Sequence, residues 1–125
     1  MLTGIILFAH GARDPRWAAP FEAVAQRLHT QRPDAPLRLA FLELMLPTLP
    51  QAGAELVAQG CTHIVVLPLF LGSGGHVRKD LPLLLDSLRV AHPSVVVHLH
   101  PAVGENDAVV AAMVGAATAA LDSAA

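Results

Sequence analysis

The stretch 63-HIVVLPLFLGSGGHVRKD-80 carries three signals in succession. HIVVLPLF is a short apolar run rich in branched side chains, with the length of a strand. Its mostly unbroken apolarity predicts a strand covered on both faces, as in a parallel sheet. The small residues Gly72-Ser73-Gly74-Gly75 end it. A helical pattern then runs from about His76 to Ala91 and stops before His92-Pro93. Strand, glycine loop and helix in that order make the first half of a crossover unit.

Working outward, the same alternation repeats. GIILFA (4–9), LRLAFLE (37–43) and VVVHLH (95–100) read as three more strands. Asp14-Pro15 forms an N-cap and N1 pair for a first helix reaching about Arg32. Pro20 puts its regular start near Trp17. A second helix runs from about Pro47 and stops at Gly60, a C′ residue. A fourth begins near Glu105 and continues through AVVAAMVGAATAALDSAA, predicted to pack closely through its small side chains. The pattern is βαβαβαβα with no repeat or linker. It predicts one α/β domain over residues 1–125, a four-stranded parallel sheet of order 2-1-3-4 with helices on both faces and right-handed crossovers.

Composition narrows the class. Apolar residues make up 54% of the 125 and charged residues only 14%, well below the roughly 25% of ordinary soluble domains. So little charge predicts apolar surface buried in a homo-oligomer or a deep cleft. A net charge of −2 gives nucleic acid no electrostatic footing. The single cysteine, Cys61, excludes an internal disulfide framework and suits a reducing compartment. MLTGIILFAHG has no basic region ahead of its apolar stretch, so a signal peptide is not expected. The C-terminal apolar segment owes its character to alanine and glycine and is short for a span of about 20 strongly apolar residues. A cytoplasmic protein without membrane contact is the expectation.

In open α/β sheets ligands bind beyond the carboxyl ends of the strands, where strand order reverses. Those ends hold His10, Glu43, the loop from Leu71 to His76, and His100. In order 2-1-3-4 the reversal lies between strands one and three, which sets His10 opposite His76. Each has a plainer reading: His10 as a loop residue, Glu43 as an exposed strand end, His76 as part of a helix's first turn. His98 and His100 share a strand face by the two-residue period, and spacing alone supports them as ligands. His29, His63 and His92 read as surface residues, Cys61 as a small buried one, and Trp17 as core or cleft wall.

Four of the eight cations, Arg13, Arg16, Arg78 and Lys79, lie within six residues of His10 or His76. Cations at a helix N-terminus oppose the macrodipole, so Arg78 and Lys79 suit a polyanionic ligand better than they suit the helix. A P-loop is excluded, because GSGGHVRKD lacks the Gly-Lys-Ser/Thr ending. HGARDPRW is no dinucleotide fingerprint. A phosphohistidine enzyme lacks its clamping arginine, since Ala9 precedes His10.

ILFAHGARDPRW, AFLELMLPTLPQA, VVLPLFLGSGGHVRKDLP and PAVGEN together resemble the short CbiX/SirB-type sirohydrochlorin chelatases, class II chelatases of tetrapyrrole biosynthesis. The resemblance covers nearly the whole chain. It implies a single-lobe chelatase fold that inserts Co2+ for cobalamin or Fe2+ for sirohaem, with Ni2+ used by archaeal relatives. It implies a homodimer enclosing the cleft, since long relatives carry two such lobes. It makes His10 a metal ligand and proton acceptor, His76 the second metal ligand, and Glu43 an acidic member of the site. Phe70, Leu71, Gly72, Ser73, Gly74, Gly75 and Met45 match substrate-contacting positions. Ala12 stands where many members have serine, and no histidine-rich metal reservoir is present.

The implied chemistry suits these residues. Insertion removes two pyrrole N–H protons and passes a divalent ion into the ring. A neutral imidazole can serve as base and as borderline ligand. Sirohydrochlorin is rich in carboxylates, partners for Arg13, Arg16, Arg78 and Lys79. The metal is substrate, and no permanently bound cofactor is expected. Two other classes share these residues: a non-catalytic metal or tetrapyrrole carrier, and a phosphoryl-transfer enzyme using His10.

Overall fold

The structure is a computed structural model describing residues 1–72 and 74–124, with His76 described by its backbone alone. The expectations for Ser73 and for the His76 side chain lie outside the described residues. The elements are β1 (Thr3–Ala9), a 3-10 turn (Pro15–Ala18), α1 (Ala19–Gln31), β2 (Leu37–Phe41), α2 (Leu49–Ala58), β3 (His63–Pro68), α3 (Gly75–Ala91), β4 (Val96–Leu99), a second 3-10 turn (Val103–Glu105) and α4 (Asp107–Ala124). The sheet is parallel throughout with order β2-β1-β3-β4, as the alternation predicts.

The register sorts residues by face. Ile6, Phe8, Ala40, Ile64, Val66 and Val97 point to one side, where they form the main core with Leu49, Ala52 and Leu56 of α2 and Val77, Leu81, Leu85 and Leu88 of α3. Gly53 lets α2 approach α3, because a Cβ there would overlap the Leu88 side chain. Thr48 caps α2: its hydroxyl accepts from Gln51 N–H at 3.3 Å and its own N–H donates to Gln51 Oε1 at 3.0 Å, a reciprocal box. Arg38 of β2 pairs with Glu55 of α2 at 2.7 Å.

The opposite face is covered unevenly. Ala9, Ala18 and Phe41 are buried there with Trp17, Phe21, Leu39 and Met45, so α1 and the turn before it cover the β1–β2 half. On the β3–β4 half, His63, Val65 and Leu67 are only half-buried, while Val96, His98 and His100 are exposed. β3 therefore alternates between buried and half-buried positions, although its sequence reads as covered on both faces.

Helix boundaries follow local chemistry. Asp14 caps the turn Pro15–Ala18 by accepting from Arg16 N–H at 2.9 Å, and regular α1 waits until Ala19, one residue before Pro20. Gly60 ends α2 with φ +96. The fourth helix corrects an expectation. It forms, but none of its described residues is buried. Alanine sustains a helix but supplies little apolar area, and the one element α4 packs against appreciably is the turn Val103–Glu105.

Candidate active site

His10 is the first residue past β1, at the reversal of strand order. Its carbonyl accepts a hydrogen bond from Glu43 N–H at 3.0 Å, and Ala9 C=O accepts from Leu42 N–H at 2.8 Å. The β1–β2 ladder thus continues beyond both strands and holds the His10 and Glu43 backbones side by side. Gly11 turns the chain away with φ +94. A Cβ at Gly11 would overlap the Glu43 carbonyl oxygen, so the His-Gly pair has a steric reason independent of any ligand.

Past Glu43 the backbone is strained. Leu44 has φ 65, and Met45 N–H donates to Glu43 C=O at 2.8 Å. These are the features of a γ-turn with a positive central φ, a rare conformation for a residue with a side chain. The turn lifts Glu43 and Leu44 into solvent and returns Met45 to the cluster under Trp17 and Phe21. Glu43 is therefore an exposed carboxylate, and it makes no side-chain hydrogen bond or ion pair among the described residues.

Phe70 leaves β3 beside His10. Their ring centroids are 4.5 Å apart with a 40° tilt, and Phe70 meets Phe8 edge-on at 5.9 Å. Phe70 is 3% exposed, so it backs the imidazole. Leu71 follows it into the open, 63% exposed. Gly104 presses on this loop: its N–H donates to Phe70 C=O at 3.0 Å, and a Cβ there would overlap the Leu71 backbone.

The glycine loop behaves differently from Gly11 and Gly104. At Gly72, Gly74 and Gly75 an added Cβ would meet nothing within 4 Å among the described residues, and none has a positive φ. Neither packing nor backbone conformation requires glycine there. Gly74 is the N-cap of α3 and offers no side-chain cap. His76 is the second residue of α3.

The expected cations separate. Arg16 is held by Asp14 at 2.7 Å, and its hydrogen bonds keep the Asp14 carboxyl below the usual carboxylate range. Arg13, Arg78 and Lys79 are exposed. Arg78 borders a pocket of about 250 Å3 with Phe70, Leu81, His100 and Glu105. The sequence reading named Glu105 only as the start of the fourth helix, although it lies within PAVGEN. His98 and His100 do come together, ring centroids 5.4 Å apart. Among the described residues no three His, Cys, Asp or Glu side chains gather as a metal cluster.

Comparison with known proteins identifies the family and the fold. The CbiX family model matches residues 4–120. The sirohydrochlorin cobaltochelatase of Methanothermobacter thermautotrophicus is 34% identical over 82 residues, 66% of this chain and 57% of that protein. The sirohydrochlorin cobaltochelatase of Saccharolobus solfataricus is 36% identical over 84 residues, 67% of this chain and 64% of that protein. The chain thus spans about six tenths of the length of these relatives. Among solved structures, the CbiX protein of Marinobacter aquaeolei VT8 superposes with a TM-score of 0.86 at 32% identity, over 96% of this chain and 98% of that one. SirB from Bacillus subtilis, with Fe3+, gives 0.77 at 29% identity, over 90% of this chain and 44% of that one.

Proposed function

The chain belongs to the CbiX family, and from that premise we propose that it is a sirohydrochlorin chelatase that inserts Co2+ or Fe2+. The observation that carries the reading is His10 at the sheet's reversal point, backed by Phe70 and tied through its backbone to Glu43.

The reaction exchanges two pyrrole N–H protons for one divalent ion. His10, Glu43 and His76 are the proposed donor set, with His10 also accepting a ring proton. Imidazole and carboxylate are borderline and hard donors that bind first-row ions while leaving positions open for ring nitrogens. The fold gives the glycines at 72, 74 and 75 no task, and a flat macrocycle approaching the backbone supplies one. The exposed Arg13, Arg78 and Lys79 face its carboxylates, whereas Arg16 is already engaged by Asp14. The buried Phe70 acts as a support for His10 in this reading.

Two subunits enclose the cleft in the proposal. SirB, of which this chain matches 44%, has length enough for a second lobe, and a second copy supplies it here. The single free Cys61 supports a reducing, cytoplasmic setting. An anaerobic assay with sirohydrochlorin and Co2+, Fe2+ or Ni2+ in turn, followed by absorbance, tests the function. Catalytic insertion of at least one metal is expected. Stoichiometric metal binding with no acceleration of insertion would replace the enzyme by a carrier.

A further inference from the structure

His98 and His100 belong to none of the contacts that build the site around His10. Val97, between them, is buried in the main core, so the two-residue period of a strand sends both rings to the opposite face, where both residues are exposed. Their roots are held firmly. His98 pairs with Val65 in the β3–β4 ladder, and His100 N–H donates to Val66 C=O at 2.9 Å. Arg89 Nη2, from α3, donates to Val97 C=O at 3.0 Å. Pro101 confines His100 to extended backbone, so the alternation continues one residue past β4 and keeps the two rings on one face.

The rings meet each other, centroids 5.4 Å apart and planes at 71°. Among the described residues neither imidazole has a hydrogen-bond or ion-pair partner. His63 differs, since its Nδ1 lies 3.0 Å from Thr62 Oγ1. The separation of the pair suits two imidazoles on one ion. A metal–nitrogen bond of about 2.0–2.1 Å puts an ion about 3.2 Å from each ring centroid. Centroids 5.4 Å apart then subtend about 115° at that ion, close to a tetrahedral angle. Rotation about χ2, a broad torsion in histidine, turns one nitrogen of each ring toward it. Water completes the shell, because no third His, Cys, Asp or Glu among the described residues joins the pair.

We propose that His98 and His100 form a second metal site, a two-imidazole seat for one divalent first-row ion. Imidazole donors bind Ni2+ ahead of Co2+ and Co2+ ahead of Fe2+, and they leave hard ions such as Mg2+ in solution. The ion held there is not the one held by His10. Leu99 pairs with Val66, and Val66 with Ile6, so His100 is level with Leu7 while His10 lies three residues farther along. With strands about 4.8 Å apart and a rise of about 3.3 Å per residue, the roots of His100 and His10 are about 14 Å apart. The His10 ring, moreover, rests on Phe70, away from the face that carries His98. The site needs no tetrapyrrole and stands independently of the chelatase reading.

The test uses the full-length chain without tetrapyrrole. Ni2+ is titrated into nitrogen-15-labelled protein carrying His10→Ala, which removes one donor of the proposed active site, and paramagnetic broadening is read amide by amide. Broadening centred on residues 97–100 and on Val65, Val66 and Leu67 across the ladder is expected, with none from Mg2+. His98→Asn and His100→Asn, at exposed positions, should each raise Kd for Ni2+ at this site at least tenfold, since loss of an outer-shell partner alone costs about 10–100-fold. The far-ultraviolet circular dichroism should not change. Broadening centred on Glu43, His29, His63 or His92, with residues 97–100 unaffected, overturns the proposal. So does an unchanged Kd in either variant, which reduces the pair to a single imidazole or to none. A pair closed off by a second copy of the chain would show no broadening at any Ni2+ concentration, and that result overturns it as well. None of these outcomes bears on the chelatase reading, which the insertion assay decides.

Discussion

The imidazole of His10 rests 4.5 Å from the buried ring of Phe70. This contact fixes one donor of the proposed site through a residue that is itself core. His10→Ala is expected to lower insertion by about 100-fold or more, the scale of a lost general base, with an unchanged melting temperature. Phe70→Ala should cost about 3–5 kcal/mol as a core truncation and should lower insertion as well. Thermal melts beside the anaerobic assay separate the two. Full activity in His10→Ala sinks the assignment of His10.

Gly11 and Gly104 are steric requirements. Gly11→Ala places a methyl against the Glu43 carbonyl at φ +94. It should destabilise the protein by about 2 kcal/mol or more, beyond the usual penalty for alanine at positive φ. Denaturant titration reads this directly. A Gly11→Ala protein as stable as the parent would mean that the loop has another low-energy path.

Gly72 and Gly74 predict the reverse. Gly74→Ser supplies the side-chain cap that α3 lacks and should raise stability by a few tenths of a kcal/mol, the gap between Ser and Gly at an N-cap. Gly72→Ala should leave stability within about 0.5 kcal/mol. Both should raise KM for sirohydrochlorin if the macrocycle lies on this backbone. Unchanged KM in both variants removes the loop from the substrate site.

Arg78→Gln and Lys79→Gln should raise KM with little change in kcat, and added salt should raise the parent's KM, because exposed charges are screened beyond about 8 Å at physiological ionic strength. Arg16→Gln should change KM less than either, since Arg16 already serves Asp14. Steady-state kinetics across an ionic-strength series would show the order.

Cys61 is 3% exposed, and burial pushes its thiol pKa up. The raised pKa lowers the thiolate fraction, and the burial keeps reagents away from it. Native protein should react with a thiol reagent far more slowly than unfolded protein. Rapid reaction without denaturant would show that the packing around Gly4 and Leu56 opens easily.

Much of this was legible from residue order. Strand-helix alternation gave the sheet, and the strand ends gave His10 and Glu43, because the rule placing ligands at strand ends needs only topology. The support given to His10 by Phe70 was not legible, since that contact joins residues 60 positions apart. Glu43 read either as an exposed strand end or as a carboxylate of the site, and the γ-turn at Leu44, which sets it out in solvent, was not legible. The C-terminal helix was legible as a helix. Its lack of a seat was not, because alanine-rich sequence reads alike whether it packs on its own sheet or on another.

The hydrogen bond from Glu43 N–H to His10 C=O has a consequence for how the site keeps its dimensions. It extends the ladder of two neighbouring strands, whose spacing is about 4.8 Å in any sheet. The sheet acts as a ruler, and the anchor points of the two side chains are gauged by the backbone. A substitution that alters metal preference can therefore change the donor atoms or their reach while the separation of their roots stays fixed.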